Sequence, residues 1–101
     1  IHFETEFFTD PVKAYKSAPK MKPDMILLDW NMPKLSGLHF LIRIRKDKHL
    51  KTTPVFMLTA NIKGASFEMA CDAGVDGYIT KPIDTITLNK RILTFFTKEN
   101  A

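Results

Sequence analysis

The chain has few of the residues that staple or anchor a fold. Cys71 is the one cysteine among 101 residues, so neither an internal disulfide nor a thiolate-held metal cluster can form. Lying among small and apolar neighbours, it is expected to be a buried helix residue. Apolar runs reach only four residues, as in Met25 to Leu28. That is far below the roughly 18 needed to span a membrane. No basic segment followed by an apolar stretch opens the chain, and a cytoplasmic protein without membrane partners is expected. His39 and His49 lack the spacing of a metal centre and are expected on the surface.

With 45% hydrophobic and 26% charged residues, the composition is that of one globular domain over residues 1–101. The formal charge is +4, and Arg43, Arg45, Lys46, Lys48 and Lys51 cluster against the single acid Asp47. These cations fall near a helix end, where they suit the macrodipole, and no aromatic platform is interleaved with them. Direct nucleic-acid binding is therefore not expected.

The chain is organised around Met25-Ile26-Leu27-Leu28-Asp29-Trp30-Asn31-Met32-Pro33. Four apolar residues bounded by turn formers predict a strand buried on both faces, and Asp29 at its C-terminal end lies where open α/β sheets bind ligands. A turn or capping role for Asp29 is the competing reading. Val55 to Thr59 and Gly77 to Thr80 are two further strands, ending in the Thr59 hydroxyl and the Lys81 ammonium.

Alternation in Ile1-His2-Phe3-Glu4-Thr5-Glu6-Phe7 predicts another strand, at a sheet edge. Helices are expected from Pro11 to Ala18, stopped by Pro19, and through Leu38, Leu41, Ile42 and Arg45 after a loop from Pro33 to Gly37. Two more are expected from Ser66 to Ala73, ended by Gly74, and from Asp84 or Thr85 along Leu88, Ile92, Phe95 and Phe96. Four β-α pairs in alternation imply a parallel sheet covered on both faces.

If Asp29, Thr59 and Lys81 converge, a carboxylate nucleophile lies beside a hydroxyl donor and a fixed positive charge. That set suits phosphoryl transfer. A structural Asp29–Lys81 salt bridge remains the alternative for that pair.

Leu27-Leu28-Asp29-Trp30-Asn31-Met32-Pro33, then Leu58-Thr59-Ala60, then Tyr78-Ile79-Thr80-Lys81-Pro82 resembles, in order and spacing, the receiver domain of bacterial response regulators. The resemblance implies a flavodoxin-like, doubly wound parallel sheet. It also implies a two-component receiver, phosphorylated on Asp29 by a histidine kinase or phosphotransfer protein. Thr59 and Lys81 would bind the phosphoryl group, Tyr78 would be the aromatic switch, and Pro82 would follow a cis peptide. Asn31 and Asn61 match positions that tune acyl-phosphate lifetime.

Magnesium would be held by the Asp29 carboxylate and the Asn31 backbone carbonyl. Its binding is expected to be weak, because the acidic pair that ends the family's first strand has no counterpart here. By this resemblance the chain is expected to match a receiver from its second strand onward, as an N-terminally truncated form without the first strand and helix. The resulting gap is expected to be filled by a dimer or strand exchange in preference to an inward shift of Ile1 to Phe7. The switching face would comprise Ser66 to Ala73, Gly77 to Thr80 and Thr85 to Phe96, and would bind a downstream protein. Two other readings are a phosphorylation-independent interaction domain and an aspartyl-phosphate hydrolase. The hydrolase is disfavoured because Trp30, Asn31 and Met32 provide no second acid.

Overall fold

The computed structural model describes residues 4–30, 37–60 and 63–99. In chain order its elements are α1 (Pro11–Met21), β1 (Ile26–Asp29), α2 (Gly37–Lys46), β2 (Val55–Thr59), α3 (Ala65–Ala73), β3 (Gly77–Thr80) and α4 (Thr85–Glu99). The three strands form one parallel sheet in the order β1-β2-β3.

Helix α1 starts where the sequence provides both a cap and a preset φ. The Asp10 carboxylate accepts from the Val12 N–H at 2.9 Å, and Pro11 occupies the first helical position. The helix does not stop at Pro19, as expected, but runs to Met21. Pro19 lies in the last turn, where its missing N–H removes only one bond. The Lys22 N–H then returns to the Ala18 carbonyl at 3.1 Å from a left-handed conformation, φ 51°. Helix α3 ends as predicted, with Gly74 at φ 100°, a conformation that a side chain would strain.

Side chains alternate across the pleat, and each face of β2 has its own cover. Val55 joins Leu28, Phe40, Leu41, Ile44, Leu50 and Ala18 in the cluster beneath α1 and α2. Phe56 points the other way and meets the Phe95 ring of α4 edge-on at 5.3 Å between centroids. The expected α4 stripe of Leu88, Ile92, Phe95 and Phe96 therefore faces the sheet, with Ile92 buried.

Three expectations are corrected. Residues 4–7 form no strand, residues 1–3 lie outside the described part, and the described sheet has three strands instead of four. Phe7 is 83% exposed, so local alternation is present without the ladder partner that makes a strand stable. Nor is β1 covered on both faces. Leu28 is buried, but Leu27 is 39% exposed. In register Leu27 stands opposite Phe56, on the α4 side, and the aromatic stripe of α4 is engaged there by β2. Finally, Cys71 is exposed, not buried. Among the described side chains of α3, Ala70 is the one fully buried, while Cys71 turns to solvent.

Candidate functional site

Parallel strands in register bring their C-terminal ends to one edge. Asp29 closes β1, Thr59 closes β2, and Lys81 directly follows β3, with Asp29 opposite Leu58 and Thr59 opposite Thr80. The Lys81 backbone N–H donates to the Thr59 carbonyl at 2.8 Å, extending the ladder by one step and fixing where the lysine side chain leaves the sheet. Its Nζ then donates to both Asp29 oxygens, Oδ1 and Oδ2, each at 3.0 Å.

Exposure decides what this pair is for. The Lys81 and Asp29 side chains are 34% and 46% exposed. A pair so open to water contributes only about 0–1 kcal/mol to stability, too little to account for its geometry as a fold-holding bridge. The carboxylate remains accessible to a reactant. Thr59, by contrast, is only 5% exposed, its hydroxyl held at the end of the central described strand.

The backbone of Trp30, which follows Asp29, is tied in two directions. Its N–H donates to the Leu58 carbonyl at 3.2 Å, and its carbonyl accepts from Gly37 at 3.3 Å. A Cβ on Gly37 would meet Trp30 Cε3 at 2.4 Å and Cδ2 at 2.8 Å. The indole thus lies against the first turn of α2 at a position that tolerates no side chain. This contact was not anticipated from the sequence; the signal available was a glycine at a helix start, eight positions after the acid.

Tyr78 is half-buried, edge-on to Phe67 of α3 at 5.1 Å, with the Arg91 guanidinium of α4 5.8 Å from its ring centroid. It joins the three elements expected to form the switching face, on which Met69 and Ile86 are exposed. The Lys81–Pro82 peptide is cis. Asn31 and Asn61 lie outside the described residues. Asp29 provides hard oxygen donors suited to magnesium, although no group of three or more His, Cys, Asp or Glu surrounds a metal position among the described residues.

Comparison with known proteins places this arrangement in a family. The model of the response regulator receiver domain matches residues 2–93. The chain is 38% identical over 92 residues to chemotaxis protein CheY-3 of Vibrio cholerae, covering 91% of this chain and 71% of that one. With the chemotaxis protein CheY of Pseudomonas aeruginosa it shares 39% identity over 78 residues, covering 77% of this chain and 63% of that protein. Among solved structures, Vibrio cholerae CheY4 superposes with a TM-score of 0.85 at 30% identity, covering 91% and 77% of the two chains. The receiver domain of a Pseudomonas aeruginosa sensor histidine kinase, with magnesium in its active-site cleft, gives 0.75 at 32% identity, covering 85% and 70%. The chain belongs to the response regulator receiver domain family, the phosphoacceptor modules of two-component signal transduction.

Proposed function

We propose that Asp29 is the phosphoacceptor and that its phosphorylation switches the affinity of the face built by α3, β3 and α4. The observation that carries this reading is the half-exposed carboxylate with both oxygens 3.0 Å from one ammonium, at the common end of three parallel strands.

An Asp29 oxygen forms the bond to phosphorus as the P–N bond of a phosphohistidine donor breaks. The departing imidazole nitrogen keeps the electron pair and takes up a proton. The donor is a histidine kinase or a phosphotransfer protein. Lys81 already neutralises the carboxylate and stays beside the phosphoryl oxygens that replace it, where charge develops. Asp29 and the Asn31 carbonyl are the groups that would hold magnesium, which would supply further neutralisation of the phosphoryl charge.

Phosphorylation converts one negative charge into about two at the strand ends. Thr59, which ends β2 next to Leu58, the register partner of Asp29, offers a hydroxyl that can donate to the new oxygens. Its displacement acts on Tyr78, which lies one strand over between Phe67 and Arg91. Asn31 and Asn61 set how long the acyl phosphate lasts. The chain works as a stoichiometric switch without turnover of a separate substrate.

Intact-mass measurement after incubation with a small acyl-phosphate donor and magnesium tests the proposal. One adduct mapping to Asp29, absent in Asp29→Asn, is expected. Undiminished labelling of the Asn variant would place the acceptor elsewhere, and no adduct on the unaltered chain would leave a phosphorylation-independent interaction domain.

A further inference from the structure

At the far end of α2 from Asp29, Tyr15, Arg43, Lys46, Asp47, Lys48 and His49 line a recess of about 530 Å³. Its charge exceeds what the fold uses. Arg45, the neighbouring cation, is fully committed: its guanidinium donates to the carbonyls of Lys51, Thr53 and Gly74 and to the Asp76 carboxylate. Arg43, Lys46 and Lys48 form no ion pair among the described residues. Asp47 is the one acid in the recess, and its Oδ1 accepts from the His49 backbone N–H at 2.8 Å. Three cations and one carboxylate leave a net charge of +2 on the lining, and the α2 macrodipole offsets only about half a charge. Compensation of the helix end therefore does not account for the cluster.

We propose that this recess is a docking site for a carboxylate-rich segment of a protein partner. The charge calls for an anion, and the aromatic content selects which kind. Tyr15 has the Arg43 guanidinium 5.5 Å from its ring centroid and the Phe40 ring edge-on at 6.3 Å. With Arg43 over the ring and Phe40 crossing it nearly at right angles, Tyr15 is a poor platform for the base stacking that single-stranded nucleic acid uses. Glutamate and aspartate need only ammonium and guanidinium donors, which Arg43, Lys46 and Lys48 provide. Helix α2 spans ten residues, about 15 Å at its usual rise, so a segment seated here leaves the Asp29 end open. Docking through this site is thus independent of phosphorylation, whereas the face of α3, β3 and α4 responds to it.

The test is fluorescence anisotropy of a labelled octaglutamate peptide against the unphosphorylated chain, with a labelled DNA duplex of equal charge in parallel. Peptide binding is expected to weaken at least fivefold between low and physiological salt, since the site is exposed and screened. It is also expected to weaken at least fivefold in Arg43→Glu/Lys46→Glu/Lys48→Glu. The control Lys13→Glu/Lys20→Glu/Lys90→Glu carries the same charge change and is expected to stay within about twofold of the parent chain. Equal losses in both variants would show diffuse attraction and overturn the site. Tighter duplex than peptide binding, with the same sensitivity to Arg43, Lys46 and Lys48, would reassign it to nucleic acid. Absence of peptide binding at low salt would also overturn it. Circular dichroism verifies folding, and Lys46→Gln/Lys48→Gln, which leaves the Arg43–Tyr15 contact in place, serves if the triple variant unfolds.

Discussion

On the proposed reading Asp29 provides the bond-forming oxygen while Lys81 provides only charge, so their removal is expected to differ in kind. Lys81→Ala should slow labelling by roughly a hundred- to a thousandfold, the scale of losing one charge-stabilising donor, without abolishing it. Stability should change by no more than about 1 kcal/mol, as the pair is open to water. Time-resolved intact-mass spectra and thermal melts check both, and a melt shifted far beyond that range would make the pair structural. Gly37 makes the opposite case, a residue with no chemistry and a strict steric requirement. Gly37 opens the helix, where propensity counts for less than in its interior, and Gly37→Ala drives a methyl into the indole of Trp30 at a cost of about 1–3 kcal/mol. Net destabilisation is expected in the parent chain, smaller but still present when Trp30→Ala removes the ring, because the Trp30 Cα stays 3.0 Å from the added methyl. Urea melts of the four variants would show that partial relief or refute the contact. Asp29, Thr59 and Lys81 were legible as a set because each ends an apolar run, whereas the Gly37 requirement was not. It depends on where an indole seven residues earlier comes to rest, and no local pattern encodes that.

Among the described residues, one side chain ties several elements together at the edge opposite Asp29. Arg45 joins α2 to the approach to β2 and to the end of α3, donating to Thr53 at 2.7 Å, Gly74 at 2.8 Å and Asp76 at 3.0 Å. The same Asp76 oxygen accepts from the Val55 N–H at 2.8 Å. The Asp29–Lys81 pair is equally short, but only Arg45 satisfies backbone carbonyls that would otherwise lose their donor. Arg45→Ala is therefore expected to cost about 1.5–3 kcal/mol, and Arg45→Lys most of that, since an ammonium cannot reproduce the planar fork. Thermal denaturation followed by circular dichroism measures both, and a loss below about 0.5 kcal/mol for the alanine variant would contradict the assignment. From sequence Arg45 looked like one more solvated cation; its partners are up to 31 residues away and become visible only when the strands are in register. The start of α4 was legible, because its cap is local. Asp84 accepts from the Thr87 hydroxyl at 2.7 Å and the Ile86 N–H at 3.2 Å, which hold its carboxyl below the usual carboxylate range. A depressed folded value favours the native state above the unfolded pKa, and that contribution disappears as pH falls through the folded one. The acid side of the melting profile should accordingly flatten in Asp84→Asn, by a small amount because the group is exposed. Melts between about pH 6 and pH 3 read the difference, and identical slopes would exclude the cap as an acid-sensitive element.

At the scale of the whole molecule, the alternation of strands and helices and the parallel order followed from periodicity, and the first strand did not. Residues 4–7 have the alternating pattern and stay outside the sheet, because a strand exists only where a neighbour accepts its ladder, and that neighbour is not encoded within seven residues. They also do not shift inward to pair with β1. Among the described residues β1 is hydrogen-bonded on one edge only, to β2, and Leu27 on this strand is 39% exposed. Phe7 adds a second exposed apolar surface. An edge with unpaired backbone groups and an apolar side chain is a template for another strand, and charge is the usual means of blunting it. The 101-residue chain should therefore self-associate as its concentration rises over roughly a hundredfold range, and Leu27→Lys should shift that onset upward without unfolding the core, since Leu27 lies outside the cluster of Leu28 and Val55. Light scattering resolves the matter. A monomer throughout the range, with cooperative unfolding, would show that this edge is covered within the chain itself; association unaffected by Leu27→Lys would move the contact to another surface, with Phe7→Ser the next variant to measure.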